Sequence, residues 1–137
     1  RGRESQWLDA YEPGSGSTIQ AYAGICGNDN LQSNSDPYFH SVSFDEMLDH
    51  VDDAIPSVGT RTATGNSVPI ATAGNDYTIP AQTPFELTAS GTDADGNGSL
   101  TYNWEERDLG PQQDVNAGDN GSSPLFRSWS ATLSSSR

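Results

Sequence analysis

The feature that most constrains this chain is its shortage of large hydrophobic side chains. Leu, Ile, Val and Phe together number 22 of 137 residues, or about 16%, below the roughly 20% under which disorder becomes a serious alternative to a packed fold. Because hydrophobic burial is the main favourable term in folding, this composition does not support one large core. We therefore expect little regular secondary structure, and we expect part of the chain to be poorly ordered in isolation.

The charge of the chain limits its partners. It carries 19 acidic and 6 basic side chains, for a formal net charge of -13 at pH 7. This charge repels phosphate backbones and anionic lipid headgroups, so we expect no nucleic acid partner and no membrane-surface partner. No apolar run approaches the roughly 20 residues of a membrane-spanning helix, so membrane insertion is not expected. The acidic, Lys-poor and Gly/Ser/Asn/Asp-rich composition favours a secreted, extracellular protein.

The residue pattern divides the chain into three regions. Residues 1–58 are predicted to be turn-rich with one helix, residues 59–67 to form a small polar linker, and residues 68–137 to be mainly β. The strand-like runs cover residues 68–73, 76–80, 85–90 and 100–105. Strands at this spacing are typical of a β-sandwich. The predicted fold class is an α+β region followed by a partial sandwich, with a low content of regular secondary structure.

One helix is predicted in the first region. Ser43 and Glu46 have the spacing of a capping box, in which hydroxyl and carboxylate satisfy two free backbone N–H groups. Pro56 marks the expected end. The apolar positions at helical spacing are Phe44, Met47, Leu48, Val51 and Ile55. This face is expected to pack on another element, whereas the acidic opposite face is expected either to be solvated or to bind a cation.

The strongest functional signal is the segment Gly14–Cys26, with the sequence GSGSTIQAYAGIC. It resembles the Met-turn segment of bacterial reprolysin-like zinc metallopeptidases, a branch of the metzincins. The resemblance covers about residues 10–55. Where the family has Thr-Ile-Met-Ala-Tyr, this chain has Gln20, Ala21 and Tyr22 at the last three positions. The replacement of methionine by Gln20 leaves two alternatives, an active parent enzyme or a degenerate one.

The resemblance implies a secreted zinc endopeptidase that acts on a peptide or protein substrate. In metzincins, a helix upstream of the Met-turn carries H-E-x-x-H-x-x-G-x-x-H and supplies the zinc ligands. This chain does not contain that motif, and its two histidines, His40 and His50, both follow the turn. No catalytic residue is therefore assigned. The resemblance implies a C-terminal piece of such an enzyme, inactive alone, with its zinc ligands outside this chain.

The resemblance also implies a wall of the substrate pocket. In metzincins, the chain after the Met-turn lines the pocket for the substrate side chain just past the scissile bond. The corresponding segment here is 22–41. The alternative is that its residues only pack the C-terminal part of the catalytic domain. The candidate wall residues are Tyr22, Ala23, Gly24, Ile25, Tyr38, Phe39 and His40.

Cys26 is the only cysteine. A single cysteine supports no internal disulfide, so a buried small side chain is one interpretation. The resemblance implies the other, a disulfide with a partner upstream of the Met-turn.

The region from residue 68 resembles the opening of Ig-like, PKD-type modules of secreted bacterial proteins. The matching runs are AGNDYTIP at 73–80, TDADGNG at 92–98 and LTYNW at 100–104. In that family the tryptophan, here Trp104, ends a central strand and sits in the core. A sandwich of this type needs about 100 residues, so the region predicts a partial one.

A second candidate site is a calcium site at Asp93, Asp95 and Asn97. These oxygen side chains alternate around a glycine turn, and Ca²⁺ prefers such ligands. An EF-hand does not fit, because its twelfth position, a glutamate, is Trp104 here. The alternative is a turn in which the Asp and Asn side chains accept local hydrogen bonds.

Three functions follow from these observations. The first is a piece of a zinc endopeptidase. The second is a non-catalytic extracellular binding or structural protein, in which a degenerate protease domain is a scaffold and the Ig-like region mediates adhesion. The third is self-assembly through exposed strand edges.

Overall fold

Regular secondary structure is sparse in this protein. The computed structural model describes residues 10–53, 59–96 and 98–137. These ranges contain a 3-10 turn at Gly27–Asp29, one helix, α1, at Ser41–Asp53, and two short strands, β1 at Ile70–Thr72 and β2 at Ser90–Thr92. The prediction of a low-content α+β fold is confirmed. No helix in the described ranges has the length and apolar character needed to cross a membrane.

The chain forms two compact units. One comprises Arg1–Thr60 and Glu105–Ser130, and we call it the turn unit; the other comprises Arg61–Trp104 and Ala131–Arg137, and we call it the strand unit. Residues 105–130 thus belong with the Met-turn-like segment, although the sequence assigned them to a continuous mainly-β region. The two units are defined by contacts within the folded chain and not by homology. The predicted domain boundaries after residues 58 and 67 therefore stay a prediction.

The turn unit has a polar interior. Its described buried apolar side chains are Ala10, Cys26 and Pro124, whereas many buried side chains are polar. Those polar side chains are Glu12, Ser15, Ser17, Thr18, His40, Ser43, Ser123 and Ser128. A buried polar group is tolerated only when it is hydrogen-bonded. Among the described residues of this unit, directed hydrogen bonds are therefore more prominent than aliphatic packing.

Helix α1 begins two residues before the predicted start. Ser43 lies inside its first turn and donates its backbone N–H to the His40 carbonyl at 2.9 Å, so the predicted capping box is wrong. The first free N–H groups have other partners: Ser41 N–H donates to Glu105 Oε2 at 2.7 Å, and Val42 N–H donates to His40 Nδ1 at 3.3 Å. A carboxylate from a distant part of the chain thus caps the helix and complements its dipole. The predicted helix end at Pro56 lies outside the described residues.

The apolar face of α1 is largely exposed. Phe44 and Leu48 are 51% and 59% exposed, and Met47 and Val51 are each 36% exposed. Phe39 packs edge-on against Phe44, with ring centroids 5.8 Å apart. The expectation that this face packs on another element is therefore met only in part within the described residues.

The strand unit is held by short antiparallel pairings. In the sheet, Ile70 lies opposite Thr92 and Thr72 opposite Ser90. The end of the chain pairs with two earlier segments: Leu87 and Arg137 exchange backbone hydrogen bonds of 2.8 and 3.0 Å, and Tyr102 and Thr132 exchange bonds of 2.7 and 3.0 Å.

These pairings are fewer than the sequence predicted. The described part of the strand unit contains a two-stranded sheet and isolated bridges, and the predicted run at 76–80 has no regular secondary structure. Trp104, expected in a core, is half-buried and donates its indole N–H to the Ser135 carbonyl at 3.1 Å.

Candidate functional site

The Met-turn-like segment is a tight loop that depends on two glycines. Gly14 and Gly16 have φ values of +53° and +64°, in the region that favours glycine. A Cβ at Gly14 would lie 2.7 Å from the Asp29 carbonyl oxygen, and one at Gly16 would lie 2.6 Å from the Ala21 Cβ. The glycines of the GSGS sequence are thus required by both backbone conformation and space.

The loop is organised around the buried carboxylate of Glu12. Its Oε1 accepts hydrogen bonds from the Ser17 backbone N–H at 2.8 Å, the Ser17 hydroxyl at 3.1 Å and the Thr18 backbone N–H at 3.2 Å. Its Oε2 accepts from the Thr18 hydroxyl at 2.6 Å. Four donors to one carboxylate satisfy the charge inside the protein and fix the turn. Sequence reasoning missed Glu12; the available signal was an acidic residue five and six positions before a Ser-Thr pair.

The polar network continues from Glu12 to helix α1. The Ser17 hydroxyl also lies 3.3 Å from the Ser128 carbonyl, and the Ser128 hydroxyl donates to Glu105 Oε1 at 2.8 Å. Glu105 Oε2 lies 3.9 Å from His40 Nε2. Both carboxylates of this network therefore hold backbone segments in place, one at the turn and one at the helix start.

His40 has a structural environment. It is 4% exposed, and its Nδ1 accepts the Val42 N–H. That contact leaves the proton on Nε2, the nitrogen that faces Glu105. The Nε2–Glu105 separation of 3.9 Å is longer than a hydrogen bond. The predicted place of His40 on a substrate-pocket wall corresponds to a buried position.

The predicted Met-turn residues and the other predicted wall residues lie at or near the surface. Gln20 is exposed, and Ala21 is half-buried. The segment 36–38 runs beside the turn, because Asp36 N–H donates to the Ser17 carbonyl at 2.7 Å and Ile19 N–H donates to the Tyr38 carbonyl at 3.0 Å. The half-buried wall residues are Tyr22, Ala23, Tyr38 and Phe39, and the exposed ones are Gly24 and Ile25. The structure thus brings the Met-turn position close to the second half of the predicted wall.

Tyr38 carries the one clear pKa change near the turn. Burial raises the pKa of its phenol above the ordinary value of 10.0, and the negative charges of Asp36 and Glu12 add to this. The phenol oxygen is buried and has no hydrogen-bond partner among the described residues. The Tyr38 phenol therefore stays protonated at neutral pH.

Cys26 is buried and free. Its backbone N–H and that of Gly24 both donate to Asn30 Oδ1, at 3.0 and 2.9 Å. Its thiol lies 3.4 Å from the Tyr22 carbonyl. The prediction of a buried small side chain is confirmed, and a disulfide with a cysteine outside this chain stays a prediction.

The candidate calcium ligands form local hydrogen bonds. Asp95 N–H donates to Asp93 Oδ1 at 3.0 Å, as in an Asx turn, and both Asp95 oxygens accept hydrogen bonds from Ser67. Asn97 lies outside the described residues. The turn interpretation accounts for both described aspartates, and calcium binding stays a prediction.

The described residues do not fit a catalytic zinc site. No three His, Cys, Asp or Glu side chains in these ranges come together in a way that would hold a metal ion. His40 is buried beside Glu105, and His50 lies in the last turn of α1. No chemical step is therefore derived through zinc for this chain alone.

Comparison with known proteins finds no matching family model, no matching curated protein and no matching solved structure. The resemblance to reprolysin-like peptidases therefore depends on the sequence motif over residues 10–55.

Proposed function

We propose that this chain is part of a secreted reprolysin-like zinc endopeptidase. It contributes the Met-turn and the following substrate-pocket wall, and residues from 68 onward are the start of an Ig-like, PKD-type module. The observation that carries this proposal is the form of the turn. Ser15, Ser17 and Thr18 are at most 1% exposed, whereas the next two residues, Ile19 and Gln20, are exposed.

A turn fixed from within and exposed at its tip suits the floor of an active site. The hydrogen bonds to Glu12 hold the backbone, so the tip has a defined position without contacts from above. Ile19 is 44% exposed and Ile25 is 71% exposed, so the turn offers apolar surface on which another element can pack. In the parent enzyme that element would be the zinc-binding helix.

The chemistry of the parent enzyme follows from its class. Zinc would polarise the substrate carbonyl and activate water there. The residues of this chain have other tasks: Glu12 positions the turn, and Tyr22, Ile25 and Phe39 offer surface to a substrate side chain.

The coding sequence upstream of Arg1 provides the decisive test. We expect H-E-x-x-H-x-x-G-x-x-H within one domain's length of Arg1, and we expect the longer protein to cleave peptides in a chelator-sensitive manner. We expect the 137-residue chain to lack peptidase activity even with added zinc. Absence of the motif would overturn the proposal, and so would chelator-sensitive cleavage by the pure 137-residue chain.

Gln20 favours a second candidate function. Its amide at the methionine position is consistent with a degenerate protease domain that serves as a scaffold for extracellular binding or self-assembly. In the longer protein, Gln20→Met discriminates between the candidates. A variant and a parent that are both inactive despite an intact upstream motif would favour the scaffold. A monomeric elution of the chain in size-exclusion chromatography would argue against self-assembly.

A further inference from the structure

The turn unit contains a pocket of about 160 Å³ that includes none of the predicted wall residues. Its walls are mainly apolar. The apolar lining residues are Pro13, Leu31, Val115, Ala117, Pro124 and Leu125. Such walls suit an aliphatic ligand group. The polar residues of the pocket determine which polar group that ligand must carry at its end.

One of those polar groups has an acceptor without a donor, and another is a carboxylate. The Gln113 amide donates through Nε2 to the Gly118 carbonyl, which fixes its orientation and leaves its Oε1 buried without a hydrogen-bond partner. Asp114 also lines the pocket. The Asn116 backbone N–H donates to Asp114 at 2.8 Å and lowers the pKa of that carboxyl. Asp114 is therefore ionised at neutral pH.

The one cationic side chain of the pocket is already paired. Arg127 donates through Nη2 to Gln32 Oε1 at 2.6 Å and to Asp36 Oδ2 at 3.2 Å, and its Nε donates to the Ser128 carbonyl at 3.1 Å. Its guanidinium carbon lies 3.9 Å from the centre of the Trp129 ring. Arg127 thus leaves the charge of Asp114 for another cation.

We propose that this pocket binds the side chain of a lysine from another polypeptide. The aliphatic stem lies along the apolar walls, and the ammonium group donates to Asp114, next to Gln113 in the lining. An ammonium group suits this end because it has three donors and no acceptor. The net charge of -13 favours the approach of a cationic partner. A bare divalent ion fits less well, because Ca²⁺ takes six to eight oxygen ligands and these walls are apolar.

The test is a titration of the full chain with N-acetyl-lysine N-methylamide at low salt, followed by NMR. The side-chain NH₂ signals of Gln113 and the backbone amides of residues 113–117 report directly on the pocket. We expect saturable shifts with a Kd of roughly 1 mM, and clearly weaker binding of the matched norleucine derivative, which keeps the stem and lacks the charge. This expectation does not depend on the proposed protease function.

Matched variants separate the pocket from general surface charge. Asp114→Asn is expected to weaken binding about threefold to fivefold, an effect that added salt reduces. Asp119→Asn is the control, because Asp119 accepts a hydrogen bond from the backbone N–H two residues later, at 2.7 Å, and does not line the pocket. It should leave binding unchanged. The proposal is overturned by absent saturation, by equal binding of norleucine, by an equal loss in Asp119→Asn, or by shifts that calcium chloride alone produces.

Discussion

The turn unit and the strand unit are both poor in large aliphatic residues, yet they differ in how their backbones are protected from water. In the turn unit, polar side chains such as Ser17 and Thr18 are at most 1% exposed. In the strand unit, no described residue is buried, and every residue of β1 is exposed. The difference shows that a buried carboxylate with enough hydrogen-bond donors can hold a segment in place even when few apolar side chains are buried. The few backbone pairings of the strand unit leave its segments exposed to solvent.

Glu12→Gln is expected to break this contrast most strongly. The substitution removes the charge and turns an NH₂ group toward a cluster that consists of donors, so we expect a loss of about 3 kcal/mol of unfolding free energy. Urea denaturation measures this loss, and hydrogen exchange at Ser17 and Thr18 locates it. Glu86→Gln is the control, because Glu86 is exposed in the strand unit. Equal stability of the two variants would contradict the role of Glu12.

A pair of glycine substitutions sharpens the contrast. Gly14→Ala is expected to cost about 2 to 3 kcal/mol, because alanine meets both a positive φ and the Asp29 carbonyl. Gly96→Ala in the strand unit has a similar φ of +61° but no atom within 4 Å of the added Cβ, so about 1 kcal/mol is expected. Thermal denaturation of both variants gives the difference. Equal costs would show that close approach at Gly14 contributes nothing.

Glu105→Gln tests whether the turn unit also supports its helix. The variant loses the charge at the start of α1 and weakens the bond to the Ser41 N–H, so we expect a loss of about 1 to 2 kcal/mol and lower helical ellipticity at 222 nm. Asp45→Asn is the matched control. Its carboxylate pairs with Arg107 on the surface, with both side chains more than half exposed, and an exposed pair contributes little. A larger helix loss in Asp45→Asn would contradict capping by Glu105.

The smallest expected effect is a pH dependence. The Tyr38 pKa is raised in the folded chain, so above about pH 10 the unfolded state releases this proton first. The stability tied to Tyr38 is complete below the unfolded pKa and is lost as pH rises through the folded pKa. We expect Tyr38→Phe to remove this share of the alkaline decrease in stability, measured by urea denaturation from about pH 8 to 11. Tyr77→Phe, at a side chain that is 72% exposed, should leave the decrease unchanged.

Local patterns predicted the elements better than the connections between them. The shortage of aliphatic residues correctly predicted sparse secondary structure, and apolar spacing correctly predicted a helix near Phe44. The helix start was missed because its cap is Glu105, 64 positions away from Ser41. A capping box is a local signal, and a carboxylate from elsewhere in the chain leaves no such signal.

The candidate site shows the same limit. The motif around Gln20 predicted a tight turn, and its glycines do have positive φ. The network beneath it was missed, because Glu12, Ser17 and Ser128 look like ordinary surface residues in a sequence. Only the folded chain shows which of the many Ser and Glu residues lose their contact with water.

The bond between Ser17 and Ser128 also bears on the order of folding. These residues are 111 positions apart, and the backbone of Ala10 pairs with that of Gly110. During synthesis, this part of the turn unit cannot be completed until Ser128 has left the ribosome, and closing such a long loop slows folding. Residues 10–53 made alone would lack the partners of Ser17 and of the α1 cap, so a shortened gene product would accumulate as an unfolded chain open to proteolysis.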